Sequence, residues 1–209
     1  VIDIGGESTR PGSKTISSKT EWKRVRKVIK IFKKKFPKKI LSIDTRKSLV
    51  MKNSIKYDVD IINDVSCFKF DKESLNTIKN RNLWKVIHHM QGTPQTMQIN
   101  PKYSDVLLEI YDFFEKKIEN LKNDKYSNKI IIDPGIGFGK NLKHNLMILN
   151  KISLFHSLGF PILIGTSRKR FINQISKNFD TKERLGGTLS SVLFSLSQGI
   201  KFFRVHNVK

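Results

Sequence analysis

Residues 129–141, KIIIDPGIGFGKN, carry a carboxylate at the point where a buried strand meets a glycine-rich loop. The isoleucines at 130, 131 and 132 predict a short strand buried on both faces, and this strand ends at Asp133. Pro134 stops the strand, and the glycines at 135, 137 and 139 let the loop backbone approach a ligand closely. A carboxylate at the end of a buried strand is costly unless something pairs with it. We therefore interpret Asp133 as a residue that faces a ligand.

Two other interpretations of this stretch concern nucleotide binding and turn formation. A nucleotide-binding P-loop requires glycine in place of Pro134 and serine or threonine in place of Asn141, so the sequence excludes it. Asp133 could instead accept a hydrogen bond within a turn, because aspartate before Pro-Gly is frequent in turns. The residues alone leave the turn and the ligand interpretations open.

Polar residues recur where the other predicted strands end. Six of the seven strands stop at an acid, an amide or a histidine, namely Asp3, Asp44, Asn63, His88, Asp133 and His206. The remaining strand, 162–164, continues through Gly165 to Ser167 and Lys169. Polar groups at the carboxyl ends of successive strands are typical of the active-site face of a (β/α)8 barrel.

Strands and helices alternate along the chain, which predicts parallel strands joined by right-handed crossovers. Seven short apolar strands begin near residues 1, 40, 61, 84, 130, 162 and 202. The apolar spacing predicts helices over 18–36, 47–57, 72–80, 104–123 and 143–158, and a last helix after Lys169 that is interrupted near Asp180 and resumes over 184–198.

We predict an α/β fold, a (β/α)8 TIM barrel present as a fragment with about seven parallel strands in a single domain over residues 1–209. A complete barrel has about 250 residues, and a predicted strand lies at each end of the chain. We therefore expect the first strand and the last helix to be missing. An open doubly wound sheet is the alternative, but no G-x-G-x-x-G follows the first strand.

The composition limits the partners and the compartment. The chain is 38% hydrophobic, enough for one sizeable core, and no apolar run is long enough to cross a membrane. The single cysteine, Cys67, excludes an internal disulfide and fits a cytoplasmic protein. The net charge of +22 favours polyanionic partners, but the lysines cluster on helical stretches such as 23–39, where they are solvated. We therefore expect neither nucleic acid nor a membrane as the partner.

Seven motifs occupy the predicted strand ends. They are DIGGESTRPG (3–12), SIDT (42–45), IIND (61–64), HMQGTPQTMQ (89–98), DPGIGFGKN (133–141), SRK (167–169) and RVH (204–206). In this order they resemble bacterial dihydropteroate synthase over nearly the whole chain, and the first and fifth are long and specific. The resemblance implies a transferase of folate biosynthesis. It would condense 7,8-dihydropterin-6-methyl pyrophosphate with 4-aminobenzoate, and give dihydropteroate and pyrophosphate.

The resemblance implies that Asp44, Asn63, Asp133 and Lys169 bind the pterin. A carboxylate can accept two adjacent N–H donors of the pterin edge, and an amide can pair with the part of that edge that mixes donors and acceptors. The lysine would donate to the ring carbonyl or a ring nitrogen. From the residues alone, Asp44 and Asn63 could equally cap the helices that follow them.

The pyrophosphate site implied by the resemblance contains Arg204 and His206, with Asp3 nearby. The family uses Mg²⁺ to neutralise the leaving group. The asparagine that holds this ion in the family is expected before Val1, so we expect no direct metal ligand within the fragment. The pair His88 and His89 could suggest a transition-metal site, but it lacks a companion ligand.

The second substrate, by the same resemblance, lies near Thr9, Arg10 and Pro11, near Phe138, and near Ser167. Phe138 can pack on the benzene ring, and Ser167 with the following helix can receive the carboxylate. The loop 5–13 is expected to be a mobile lid. The mechanism would be dissociative, without a covalent nucleophile.

Two further implications concern assembly and the alternative enzyme class. Members of the family are usually dimeric, so we expect a homodimer. The alternative is the pterin-binding barrel of a folate-dependent methyltransferase, which shares the pterin carboxylates but lacks a pyrophosphate site. Arg204 and His206, together with the STRPG loop, favour the synthase.

Overall fold

The structure is a computed structural model that describes residues 1–177, 180 and 184–208. Its strands are β1 (Ile2–Gly5), β2 (Leu41–Asp44), β3 (Ile61–Asp64), β4 (Trp84–His88), β5 (Ile130–Asp133), β6 (Leu163–Ile164) and β7 (Phe202–Phe203). Its α-helices are α1 (Ser18–Lys35), α2 (Ser48–Ile55), α3 (Ser74–Ile78), α4 (Val106–Leu121), α5 (Leu142–Asn150), α6 (Arg170–Ser176) and α7 (Leu185–Ser197). No helix in these ranges has both the length and the apolar character needed to cross a lipid bilayer.

The strands β1 to β5 form one sheet in which spatial order follows chain order, and β6 pairs with β7 in a second sheet. The pairs β1–β2, β2–β3, β3–β4 and β6–β7 are all parallel. A parallel bridge also joins Ile132 to Ile162. A doubly wound sheet reverses its order at a switch point, and this order does not reverse. The predicted parallel α/β fold, a fragment of a (β/α)8 barrel, is therefore confirmed.

Most element bounds agree with the prediction to within a few residues, but the helix expected over 143–158 is divided. α5 ends at Asn150, and Ile152–Leu158 forms a 3-10 helix. The tighter winding puts residues three apart on one face, and this buries Ile152 and Phe155 together. Gly159 then leaves the helix at φ +78°. The interruption predicted near Asp180 adjoins residues 178–179 and 181–183, which lie outside the described residues.

The chain divides into two compact units. The first contains Val1–His88 and Lys117–Ile131. Its helix α1 begins after Ser17, whose hydroxyl accepts a hydrogen bond from Thr20 N at 3.1 Å. α1 turns an apolar face inward, and all its lysines are exposed except Lys33, which pairs with Asp60 at 2.7 Å. The fully buried side chains in this unit include Ile29, Ile43, Met51 and Ile62.

The second unit contains His89–Lys116 and Ile132–Lys209. Phe114 of α4 meets Phe155 edge to face, with ring centroids 6.0 Å apart. Asn141 and His144 form a reciprocal capping box that starts α5 directly after the glycine loop. Because the cap fixes the end of the loop and β5 fixes its start, the loop 134–140 is held at both ends.

Candidate functional site

The strand ends of the first unit bring together three of the predicted residues. Asp44 and Asn63 are both buried and face each other in the register of β2 and β3. Asn63 Nδ2 donates to Asp3 Oδ2 at 3.4 Å. Asn63 Oδ1 is buried without a hydrogen-bond partner among the described residues. An unpaired buried amide oxygen is costly, and it is satisfied when a ligand supplies a donor.

The alternative that Asp44 caps α2 is not realised. α2 begins at Ser48, its N-cap is Lys47, and no side-chain cap bond is formed there. Ser48 N and Oγ instead donate to Asp71 Oδ2, at 2.8 and 2.7 Å. Asp44 lies at the end of β2 and does not cap α2, so its position is compatible with binding a ligand.

Asp64 is the residue that shapes the turn after β3. Its Oδ1 accepts hydrogen bonds from the backbone N and the hydroxyl of Ser66, and its Oδ2 accepts one from Phe68 N. Burial raises the pKa of the Asp64 carboxyl to about 6, although these bonds act in the opposite direction. The turn therefore uses Asp64 and leaves the side chain of Asn63 available.

A buried ion network, unforeseen from the sequence, fixes the start of the loop expected to be a lid. Glu7 accepts from Arg46 Nε and from Lys47 Nζ, both at 2.7 Å, and Lys47 Nζ also donates to Glu21 at 2.6 Å. Burial raises the pKa of Glu7, but the hydrogen bonds from Lys47 and Arg46 outweigh it and place the pKa below its ordinary value. Glu7 is therefore an anchor point within the predicted lid.

The predicted lid residues beyond Glu7 are held by few bonds. Ser13 Oγ donates to Ser8 O at 2.6 Å, and Ser13 N donates to Arg10 O at 3.0 Å. Arg10 and Pro11 are exposed, and Thr9 is half-buried. The bonds among these residues are local to the loop, so the tip has fewer restraints than its start.

In the second unit, the glycine loop after β5 explains the spacing of its glycines. Gly135, Gly137 and Gly139 all adopt positive φ, at 69°, 80° and 63°. Asp133 is buried, and its Oδ1 accepts from Gly135 N at 2.8 Å. The turn interpretation is thus realised for one carboxylate oxygen. A carboxylate offers several acceptor positions, so the ligand interpretation is compatible with this bond.

Gly139→Ala is expected to destabilise the protein by about 3 kcal/mol or more, because the side chain has no space. A Cβ at Gly139 would lie 2.5 Å from the backbone oxygen of Gln91. Gly159→Ala is the matched control, since Gly159 also has positive φ but nothing lies within 4 Å of its Cβ position. In urea unfolding, Gly159→Ala should lower the free energy of unfolding by only about 1 kcal/mol. Equal losses would contradict the steric explanation.

Two lysines, the buried Lys140 within the loop and the half-buried Lys169 outside it, contact the backbone of this loop. Lys169 Nζ donates to Ile136 O, and its ammonium lies 4.5 Å from the centroid of the Phe138 ring. Burial lowers the pKa of Lys169 to about 8, although Asp133 acts in the opposite direction. Burial also lowers the pKa of Lys140 well below its ordinary value, again against the attraction of Asp133. The negative charge of Asp133 therefore acts on the pKa of both lysines, and it raises what burial lowers.

The predicted pyrophosphate and aminobenzoate residues of this unit are adjacent. The ring of His206 lies 2.9 Å from Ser167 Oγ through Nδ1, and His206 N donates to the same hydroxyl at 3.3 Å. Arg204 N donates to Ile164 O at 2.9 Å, which extends the β6–β7 pairing past Phe203. β7 is shorter than expected, and Arg204 and His206 follow it as exposed residues.

The histidine pair has separate surroundings. His89 Nδ1 lies 2.9 Å from Lys140 Nζ, and the His89 ring meets Phe113 edge-on at 4.9 Å. Across the described ranges, no three His, Cys, Asp or Glu side chains form a group that could hold a metal ion.

Comparison with known proteins places the chain among enzymes of one kind. The sequence model of the pterin binding enzyme family matches residues 1–206. The dihydropteroate synthase of Escherichia coli K12 is 39% identical over 210 residues, which cover all of this chain and 73% of the relative. The Synechocystis enzyme is 36% identical, with 72% of its length covered.

Solved structures agree with the sequence comparison. The Yersinia pestis dihydropteroate synthase, crystallised with a sulfonamide drug complex, superposes with a TM-score of 0.93 at 36% identity, over 99% of this chain and 74% of that one. The Thermus thermophilus enzyme in complex with 4-aminobenzoate gives 0.91 at 32% identity, over 99% and 78%. The likeness therefore extends over nearly all of the chain.

Proposed function

The chain belongs to the dihydropteroate synthases, within the pterin-binding enzymes, and from this membership we propose how its residues share the reaction. It is a transferase that joins a dihydropterin to 4-aminobenzoate, and the matched proteins favour this activity over the folate-dependent methyltransferase alternative. The strongest support for the proposed pocket is the buried carboxylate of Asp133 beside the loop that Lys169 contacts.

Asp133, Asn63, Asp44 and Lys169 bind the pterin in this proposal. Asp133 accepts adjacent N–H donors of the pterin edge in a charge-assisted, bidentate geometry. Within the described part of the chain, no group donates a hydrogen bond to the amide oxygen of Asn63, so this oxygen can accept one from the pterin. Asp44 is buried at the end of the neighbouring strand, and Lys169 donates to the ring carbonyl or a ring nitrogen.

Arg204 and His206, with Asp3, bind the pyrophosphate. The exposed guanidinium of Arg204 can donate two parallel hydrogen bonds to phosphate oxygens. The contact between Ser167 and the His206 ring supports neighbouring positions for the leaving group and for the 4-aminobenzoate carboxylate, which Ser167 receives. Phe138 packs on the aminobenzoate ring, and Thr9, Arg10 and Pro11 close over it.

Mg²⁺ is the proposed cofactor. It usually binds through one or two protein oxygens, several waters and substrate phosphates. The carboxylate of Asp3 is an oxygen donor of this kind, and Asn63 Nδ2 lies 3.4 Å from its Oδ2. When bound, the ion neutralises charge that develops on the departing pyrophosphate. Asp3 would orient the hydrated ion rather than enclose it.

The reaction follows from these roles. Arg204 and His206 stabilise the pyrophosphate as the C–O bond to the pterin methylene breaks. Asp44 and Asp133 stabilise the cation that remains on the pterin. The amine of 4-aminobenzoate, held by Phe138, attacks the methylene carbon and then loses a proton. No covalent enzyme intermediate is involved.

The assembly and compartment are also proposals. α7 exposes leucines at 185, 189, 193 and 196 along one face, each more than half exposed, which suits a homodimer. The buried thiol of Cys67, with a pKa that burial raises to about 12, fits a reducing cytoplasm. We assign residues 1–209 to one domain, because the family model spans 1–206, and we propose no nucleic-acid or membrane partner.

Lys169→Ala, made in the full-length protein that contains residues 1–209, is expected to lower dihydropteroate formation by about a hundredfold, because a charge-assisted donor to the pterin is lost. Lys143→Ala, at an exposed lysine, is the control and should retain wild-type activity. The assay supplies dihydropterin pyrophosphate, 4-aminobenzoate and Mg²⁺. A folded wild-type protein that binds pterin without forming product would favour the methyltransferase alternative. Wild-type pterin affinity in Lys169→Ala would contradict the pocket assignment.

A further inference from the structure

Four consecutive backbone carbonyls of the glycine loop each accept a hydrogen bond from a side chain. The pairs are Lys169 Nζ with Ile136 O, Gln98 Nε2 with Gly137 O at 2.8 Å, Lys140 Nζ with Phe138 O at 3.0 Å, and Tyr103 Oη with Gly139 O at 2.8 Å. A loop with alternating left-handed residues cannot pair its carbonyls in a ladder. Lys140 at the end of the loop and three side chains from other segments satisfy them instead, and this fixes the path of the loop.

The segment 91–103 supplies two of these donors and lies along the loop. Gln91 packs so closely on Gly139 that its backbone oxygen would be 2.5 Å from a Cβ there. The Gln91 side chain exchanges two hydrogen bonds with the backbone of Lys102, at 2.7 and 3.1 Å. Buried Met97 anchors the middle of the segment. The segment is therefore a braced support, able to hold Gln98 and Tyr103 in place.

The other donors act as fixed anchors. The Lys140 ammonium has three N–H groups, which meet His89 Nδ1, His89 O and Phe138 O. The hydroxyl of Tyr103 stays protonated, since burial raises the pKa of the phenol. Gln98 differs from both because its acceptor, Gly137 O, belongs to the peptide plane that joins Gly137 to Phe138. Rotation of this plane changes φ of Phe138 and hence the position of its ring.

We propose that Gln98 is a positioning residue for the second substrate: it fixes the Gly137–Phe138 peptide and so holds the Phe138 ring where 4-aminobenzoate packs. This inference rests on the proposed role of Phe138. Asp133 is held by its own bond from Gly135 N, at the start of the loop and three residues before Phe138. Gln98 therefore affects the aminobenzoate side of the reaction and leaves pterin binding unchanged.

The test is Gln98→Met in the full-length protein, which keeps the side-chain length and removes the N–H donor. The KM for 4-aminobenzoate should rise about five- to tenfold, the effect of one hydrogen bond, while the KM for dihydropterin pyrophosphate stays at the wild-type value. Gln98→Lys, which restores a donor to Gly137 O, should recover most of the loss. Gln95→Met, at an exposed glutamine of the same segment, is the matched control. A merely structural role would lower the active fraction and leave both KM values unchanged.

Phe138→Ala, measured in parallel, separates the inference from its premise. A raised KM for 4-aminobenzoate in both Phe138→Ala and Gln98→Met supports the positioning role. A raised KM in Phe138→Ala alone overturns the role of Gln98 and leaves that of Phe138 intact. An unchanged KM in Phe138→Ala overturns the proposed contact between Phe138 and the substrate, and the inference about Gln98 with it.

Discussion

Asp133→Asn is expected to lower pterin affinity and dihydropteroate formation by about a thousandfold, while the protein stays folded. Asparagine has the same shape, and its amide oxygen can still accept the bond from Gly135 N. Its NH2 group then faces one of the N–H donors of the pterin edge, so one charge-assisted bond becomes a donor–donor repulsion and the other bond loses its negative charge. The ammonium groups of Lys140 and Lys169 also lose the negative charge that favours their protonation.

Calorimetry of pterin binding, together with urea unfolding, separates the loss of binding from a loss of fold. Asp58→Asn provides the matched control, because Asp58 is exposed and has a φ of +54°, which asparagine tolerates. It should bind pterin with wild-type affinity. If Asp133→Asn bound pterin as tightly as the control, Asp133 would be only a turn residue, and the pocket would have to be assigned elsewhere.

The predicted fold was largely accessible from the sequence because each strand carries a strong local signal. Residues 130–132 are a continuous apolar run that stops at Asp133, directly before Pro134, and such a run indicates a buried parallel strand without knowledge of its neighbours. The weaker elements were less predictable. The break at Lys151 arises from tertiary packing, which buries Ile152 and Phe155 together, and no local residue signals it.

Site residues at strand ends were predictable for a similar reason, whereas buried polar residues elsewhere were not. Asp133 and Asn63 follow apolar runs directly, and β-strand geometry places them at the carboxyl end. Lys47, Lys85 and Lys140 are buried too, but the chain has 40 basic residues and nothing local separates these three from the solvated ones. Lys85, for example, pairs with Asp124 at 3.3 Å, a partner distant in sequence.

Lys47→Met is expected to cost about 3–5 kcal/mol of unfolding free energy, because it leaves a buried carboxylate without its counter-charge. Lys47 Nζ donates to Glu7 and Glu21, and the side chains of all three are at most 5% exposed. Glu7 keeps Arg46 as a partner when Lys47 is removed. Glu21 has no second cation of this kind within the described ranges, and its Oε1 has no hydrogen-bond partner there even when Lys47 is present. The penalty therefore falls mainly on Glu21.

This origin of the penalty predicts an order among variants in urea unfolding. Lys47→Met should lose the most unfolding free energy. Arg46→Met should lose less, because Lys47 is still present there and neutralises Glu7. Lys122→Met should show no measurable change, since Lys122 and Glu119 form a pair that is 59% and 63% exposed. Adding Glu21→Gln to Lys47→Met should recover part of the stability by removing the unpaired charge. Without such recovery, the loss would come from packing of the lysine stem, and the network would not be what anchors Glu7 at the start of the predicted lid.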